Sequence, residues 1–334
     1  MVGDQRGAMK DTIETTRARI APYVLQTPCR ETAALGEVIG ATVFLKLENL
    51  QTTGSFKLRG VTNKILSLSE SDAGRLLVTA STGNHAAAFA HSVAEFGLRG
   101  KLFMPRSAAA VKVAALRATG IPFEIIGEDC VEAEVHARDF ARDNGFVWIS
   151  PYNDLEVVYG QGTIAVELVE QLETFDAVLA PVGGGGLISG IAAYLKAVAP
   201  SIEVIGCQPV NSCVMYESVE AGEIVHTESL PTVSDGTAGG IEKGSVTFDL
   251  CRRLVDDFIL LEEAEIFAAM RFLHEEEGLT VEGAAALPAA AVLNQRARFA
   301  SRRTALIVSG GRVDETTLTI VLGPDGCSDR EVTT

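Results

Sequence analysis

From Thr42 to Val308 the chain alternates short apolar runs of strand length with amphipathic or alanine-rich stretches of helical period. That alternation leaves few architectures open. Strands separated by helices pair in parallel, with the helices covering both faces of the sheet, which excludes helical bundles and antiparallel sandwiches. Strands are predicted at Thr42–Leu47, Leu76–Thr79, Lys101–Met104, Phe123–Ile126, Phe146–Ile149, Ala177–Val182, Glu203–Cys207, Phe258–Leu261 and Ala305–Val308. Helices are predicted at His85–Phe96, Ala109–Thr119, Val131–Arg142, Gly162–Glu173, Leu187–Val198, Glu263–Glu277 and Gly283–Gln295. The length of 334 residues fits two domains at about 150 residues each. No repeat and no long Gly/Pro/Ser linker separates two halves, so the domains are expected to interleave. Residues 76–149 hold four strands and three helices, between apparent crossings at Leu47-Glu48-Asn49 and Pro151-Tyr152. The expectation is a small α/β domain at 71–154 inserted in a larger one formed by 1–70 and 155–334. Ligands in such folds gather at the carboxyl ends of the strands.

Charge narrows the partners. Lys and Arg total 28 against 44 Asp and Glu, a net −16, which repels nucleic acid and anionic membranes. The longest uncharged apolar stretch, Gly283 to Asn294, contains Pro288 and is shorter than the roughly 20 residues that span a bilayer. Met1 to Asp11 is polar, without the apolar core of a secretory signal. Cys29, Cys130, Cys207, Cys213, Cys251 and Cys327 form no C-x-x-C pair, and free thiols in a cytoplasmic protein are expected.

Four segments carry chemistry. Gly183-Gly184-Gly185-Gly186 lies directly between the strand Val178–Val182 and the helix that opens at Leu187. Glycines can turn several N–H groups toward one point, and the helix N-terminus adds its positive end, so the run reads as a phosphate site. It matches neither G-x-G-x-x-G nor a Walker motif; a flexible turn without a ligand is the plainer alternative. Thr53-Gly54-Ser55-Phe56-Lys57-Leu58-Arg59-Gly60 sets a lysine among apolar neighbours between two glycines. A buried amine has a lowered pKa and becomes a nucleophile toward aldehydes, whereas a surface lysine would merely snorkel. Ser81-Thr82-Gly83-Asn84-His85 closes one strand and opens a helix, which suits either a carboxylate or an ordinary N-cap. Ser309-Gly310-Gly311 follows the strand Ala305–Val308 and is either a site element or a strand-end turn.

In this order, S-F-K-x-R-G, S-T-G-N-H, G-G-G-G-L and S-G-G resemble the fold-type-II pyridoxal-phosphate enzymes, tryptophan synthase β-like in fold, and among them the threonine/serine dehydratase and serine racemase family. The similarity runs from about Ile20 to Asp314 and includes Gly160-Gln161-Gly162-Thr163 and Ser234-Asp235-Gly236-Thr237. It implies an ammonia-lyase with pyridoxal 5′-phosphate as cofactor, a small amino-acid substrate and assembly as a homodimer. Lys57 would hold the cofactor as a Schiff base and act as base at the substrate Cα. Phe56 would pack beside the ring, Asn84 would bond its hydroxyl, Gly183 to Gly186 would hold its phosphate, and Ser309 would face its nitrogen. Ser81, Thr82, Asn84 and His85 would cradle the substrate carboxylate.

A neutral Ser309 makes a shallow electron sink, which favours elimination of a hydroxyl from a 3-hydroxy amino acid, L-threonine or L-serine by default. Racemases of this family carry a serine where Thr82 stands, so the extra methyl and stiff χ1 disfavour racemisation. Gln208 and Val214 align near the family's metal-binding carboxylates, and neither replaces one; no metal is expected. Arg312 ends the S-G-G segment and reads either as a recruiter of an acidic substrate or as a surface residue. Glu282 reads as a pocket carboxylate or as a helix N-terminal acid. Met215-Tyr216-Glu217-Ser218, Leu230-Pro231-Thr232 and Glu277 to Gly283 are similar to the hydroxyectoine-utilisation dehydratases. Alternatives are dehydration of 3-hydroxyaspartate or another polar 3-hydroxy amino acid, serine racemisation, a non-catalytic ligand-binding protein on the same scaffold, and a nicotinamide oxidoreductase. The last lacks its glycine fingerprint.

Overall fold

A computed structural model of the chain describes residues 2–323 except Ser107, Ala109 and Asp129, without the side chains of residues 2–6, 73, 110, 111, 130 and 131. Expectations for Met1, for the thiols of Cys130 and Cys327 and for residues 324–334 therefore lie outside the described residues. Strands β1 (Cys29–Glu31), β2 (Thr42–Leu47), β3 (Leu77–Ala80), β4 (Gly100–Met104), β5 (Phe123–Ile125), β6 (Val147–Trp148), β7 (Ala177–Pro181), β8 (Glu203–Pro209), β9 (Asp257–Leu261) and β10 (Arg303–Val308) form two sheets. The larger has the order β1-β2-β10-β7-β8-β9, the smaller β5-β4-β3-β6. Every pairing is parallel except β1 with β2. The sequence pattern missed β1, whose three residues are too few to show a period.

Alternation along the strands divides the large core into two layers. Val178 and Ala180 of β7 pack with the helices Leu155–Gln171 and Gly186–Val198, whereas Ala177 and Leu179 pack with Glu263–Glu277 and Gly283–Asn294. The small sheet follows the same rule: Leu77 and Leu102 face one way, Val78 and Phe103 the other. Leu58, Val61 and Ile65 of the helix Lys57–Leu66 join the core of the small sheet, so this helix lies between the two sheets.

One local difference from the sequence reading has a packing cause. The helix expected from Gly162 starts at Leu155, where Asp154 accepts a hydrogen bond from the Glu156 N–H. Its glycines lie where helices cross: a Cβ on Gly160 would overlap the Gly60 backbone, and one on Gly162 would stand 2.9 Å from the Gly190 carbonyl oxygen. Close approach outweighs the low helix propensity of glycine. The helices Val2–Ile20, Ala33–Ile39, Lys57–Leu66, Glu70–Ala73, Val214–Ala221, Val246–Leu254, Arg296–Phe299 and Glu315–Leu322 do not appear in the sequence pattern. Cys29, Cys207, Cys213 and Cys251 are free thiols, and no described helix is long and apolar enough to cross a membrane.

Candidate active site

The carboxyl ends of β3, β4, β7 and β10 open on one cleft of about 1040 Å³, and all four motif segments line it. Continuous strands deliver them there. β7 runs into the tetraglycine turn, β10 into Ser309, and β3 into Ser81.

The tetraglycine turn is rigid rather than slack. Gly185 sits at φ 83° as the N-cap of the helix Gly186–Val198, a conformation that side chains resist. A Cβ on Gly184 would overlap the Tyr152 ring, one on Gly183 would lie 3.1 Å from the Thr237 backbone, and one on Gly185 2.7 Å from Met215 Cε. Thr247 Oγ1 donates to the Gly184 carbonyl at 2.6 Å. One side of the turn is thus packed against protein, and the helix presents first-turn N–H groups that have no intrahelical acceptor. A group placed there meets donors and a positive helix end.

Lys57 opens its helix at the cleft wall, tied by two contacts to the segment that follows β10. Ser55 bridges Gly310, and the Phe56 N–H donates to the Ser309 carbonyl at 3.1 Å. Its Nζ donates to the Pro151 carbonyl at 3.0 Å and lies 5.2 Å from the Phe56 ring centroid. Burial lowers its pKa to about 8, against the opposing pull of Glu134 and Glu282. A far larger share of this amine is therefore neutral near physiological pH than of a lysine in water, although the charged form still predominates there.

The Ser81–His85 segment divides its roles. Asn84 Nδ2 donates to both Glu282 oxygens at 2.8 Å, and Asn84 Oδ1 is buried without a partner. Glu282 is 6 % exposed, and burial raises its pKa to about 7 although the Asn84 bond opposes this. Its side chain makes no cap bond to the helix it precedes, which decides between its two readings in favour of the pocket carboxylate. Thr82 is half-buried at the cleft, and its hydroxyl bonds no described residue.

His85 requires a correction. Its ring is engaged by Thr79 beneath it, with Nε2 and Thr79 Oγ1 at 2.8 Å, and the Thr79 hydroxyl is donated to the Ile149 carbonyl. Burial, aided by the charge of Lys57, lowers its pKa to about 3. A neutral ring held this way leaves only the backbone N–H of His85 for an anion.

Ser309 is 1 % exposed at the end of β10. Arg312 is exposed at the cleft mouth and donates Nε to the Thr53 carbonyl at 3.1 Å. The loop from Thr232 to Gly240 closes another side, where Asp235 pairs with Lys112. Tyr152 and Glu134 complete the wall. Sequence reasoning took Tyr152 only as a crossing and missed Glu134, since a glutamate on an amphipathic helix reads as part of a solvated face.

Comparison with known proteins agrees with this geometry. Residues 20–310 match the family model described as "Pyridoxal-phosphate dependent enzyme". An L-threonine ammonia-lyase of Thermotoga maritima is 38 % identical over 305 residues, covering 91 % of this chain and 75 % of that protein. The structure of maize serine racemase superposes with a TM-score of 0.85 at 34 % identity, covering 92 % of this chain and 96 % of the other. Processed threonine deaminase isoform 2 of Solanum lycopersicum gives a TM-score of 0.89 at 30 % identity, covering 96 % and 93 %.

Proposed function

This chain belongs to the pyridoxal-phosphate-dependent enzyme family, and from that premise we propose that it is a threonine/serine ammonia-lyase, which converts a 3-hydroxy amino acid such as L-threonine or L-serine into a 2-oxo acid and ammonia. One observation carries the reading: a buried amine of lowered pKa faces, across one cleft, a tetraglycine helix start and a second helix start.

The residues present fit the cofactor. The tetraglycine cradle has room only for backbone and would hold the phosphate, Lys57 would hold the aldehyde carbon, and the orphaned Asn84 Oδ1 and Ser55 Oγ mark polar atoms awaiting partners. Bound there, the cofactor supplies an electron sink for negative charge at the substrate Cα. Phe56 would flank the ring, and Ser309 would face its nitrogen with a neutral hydroxyl. Ser81, Thr82, Asn84 and the N–H of His85, at the start of the helix Asn84–Glu95, would hold the substrate carboxylate. Lys57 takes the Cα proton, the hydroxyl leaves Cβ as water, and the water regained on hydrolysis leaves ammonia as the net loss. Glu282 fixes the Asn84 amide through two hydrogen bonds.

The proposal extends to a small amino-acid substrate, a homodimer and a cytoplasmic site of action, with 71–154 as an inserted domain. The four-stranded sheet supports that last point, since its strands all fall between Leu77 and Trp148. The deciding experiment supplies cofactor to the purified protein and measures ammonia and 2-oxo acid from a panel of 3-hydroxy amino acids. A colourless protein that takes up no cofactor and releases no ammonia would overturn the lyase reading.

A further inference from the structure

The bonds of the His85 ring lead to Lys57. Thr79 has a single hydroxyl proton, and it is donated to the Ile149 carbonyl at 2.7 Å. Thr79 Oγ1 therefore accepts from His85 Nε2 at 2.8 Å, which fixes the ring proton on Nε2. Burial keeps the ring neutral, with a pKa of about 3, so Nδ1 carries only a lone pair, and that atom is buried without a partner among the described residues. The ring is 3 % exposed. With the ring N–H aimed at its oxygen, the Thr79 hydroxyl is steered onto Ile149, and bonds in such a chain strengthen one another. The Ile149 N–H is held as well, by the Val78 carbonyl at 2.8 Å. Two residues further on, Pro151 offers the carbonyl that receives Lys57 Nζ at 3.0 Å. Between them Ser150, 1 % exposed, accepts the Asn153 N–H at 2.9 Å. The chain from Ile149 to Pro151 thus has little freedom to shift.

We propose that His85 is a positioning residue for Lys57, which through Thr79 and Ile149 holds the Pro151 carbonyl where the amine is received. This rests on the ammonia-lyase reading and deepens it, since it states how the amine is aimed. The charged groups that face Lys57 from other elements are Glu134 on the helix Cys130–Asp143 and Glu282 before the helix Gly283–Asn294, and both attract it. The neutral ring adds no charge beside them, whereas a protonated His85 would repel the amine. Attraction alone does not give direction. An N–H given to the Pro151 carbonyl does, because it restricts where the rest of the amine points. The same bond favours the charged amine, so a slack carbonyl lowers the pKa of Lys57 further and lets the amine swing.

The test compares Thr79→Val, His85→Leu and His85→Gln with wild type. Cofactor is added to stripped protein across a range of pH, and growth of the near-visible band gives the midpoint of capture by Lys57. In loaded enzyme, kcat and KM for L-threonine are measured. Thr79→Val keeps the shape and suits a strand; it and His85→Leu should each lower the midpoint by about half to one pH unit. Turnover should fall about ten- to a hundredfold in kcat, with KM nearly unchanged. His85→Gln, whose amide nitrogen can still donate to Thr79, should stay close to wild type. Combining Thr79→Val with His85→Leu should cost no more than either alone, because both cut one path. Circular dichroism and melting curves verify the fold, and Thr79→Val carries the test alone where His85→Leu does not fold. A midpoint and kcat that stay at wild-type values in Thr79→Val would overturn the proposal. So would a lower melting temperature alone, which assigns the ring to packing, or a raised KM at an unmoved midpoint, which assigns it to the substrate. Wild-type protein that takes up cofactor without releasing ammonia would count against the ammonia-lyase reading only, because the midpoint still reads the path from His85 to Lys57.

Discussion

In the role proposed for it, Lys57 would meet two demands that conflict in water, since an amine basic enough to take a Cα proton is normally too protonated to attack an aldehyde. Burial resolves the conflict by lowering its pKa to about 8. Capture of cofactor by the unloaded protein should accordingly rise with pH through about 8, read as growth of the near-visible band. The stability linkage has the same origin. The folded-state pKa lies below the ordinary 10.5, so the fold carries its penalty while the amine is charged, fully below about pH 8, and sheds it as pH rises toward 10.5. Lys57→Met should therefore raise the melting temperature of the unloaded protein most at neutral pH, while ammonia release falls by about 10²–10⁴-fold or more. Thr82 supports a separate expectation. Racemisation needs a proton donor on the face of Cα opposite Lys57, and the threonine methyl must either enter the substrate space or turn the hydroxyl away. With L-serine, pyruvate should exceed D-serine, and Thr82→Ser should raise the D-serine fraction; equal rates in the wild type would refute the argument.

Helix starts and strand ends position the chemistry, and packing holds them in place. The tetraglycine turn reads in sequence as a place where backbone meets an anion, so that Gly184→Asp would be expected to spare the fold. The Tyr152 ring changes that outcome. A Cβ at 184 overlaps it whether or not a ligand is bound, so Gly184→Ala should destabilise the unloaded protein by about 1–3 kcal/mol. Denaturant unfolding without cofactor checks this. The helix that carries Lys57 is anchored two residues further on. Arg59, fully buried, gives hydrogen bonds of 2.7–2.8 Å to Glu48 and Glu167, while Lys46 Nζ reaches Glu167 at 2.6 Å. The network joins the end of β2, the helix Lys57–Leu66 and the helix Leu155–Gln171. Removing Arg59 leaves Glu48 buried without its counter-ion, and Arg59→Met should cost about 3–5 kcal/mol in urea unfolding. An unchanged midpoint would show that the network is dispensable.

Across the whole molecule, the cleft is bridged by weak links. Lys112 pairs with Asp235, and Arg138 with Glu242, so the helices Ala110–Ala118 and Cys130–Asp143 are joined to the loop over the site. The Lys112 and Asp235 side chains are 34 % and 55 % exposed, and such pairs contribute under about 1 kcal/mol. Asp235→Asn should leave the melting temperature within a few degrees of wild type. A larger loss would mean that the bridge holds the sheets together.

Much of this architecture is written in local pattern. The β7–tetraglycine–helix unit, the strand that ends at Ser309 and the helix that opens at Asn84 follow from runs of apolar residues broken by glycine and polar caps, because strand alternation and helix initiation are short-range properties of the chain. The S-F-K-x-R-G, S-T-G-N-H and tetraglycine segments likewise announce a site before any fold is known. Other features exist only once distant elements meet. The ring of His85 is held in place because Thr79 and Ile149 lie beneath it, and Glu282 becomes a pocket acid because Asn84 reaches it across 198 positions of sequence. Gly160 is a crossing point because another helix lies against it, and Glu134 is a cleft group because its helix faces Lys57. Burial and the charges of remote neighbours set these outcomes, and both are properties of the tertiary structure, so a pattern that repeats every two or 3.6 residues does not encode them.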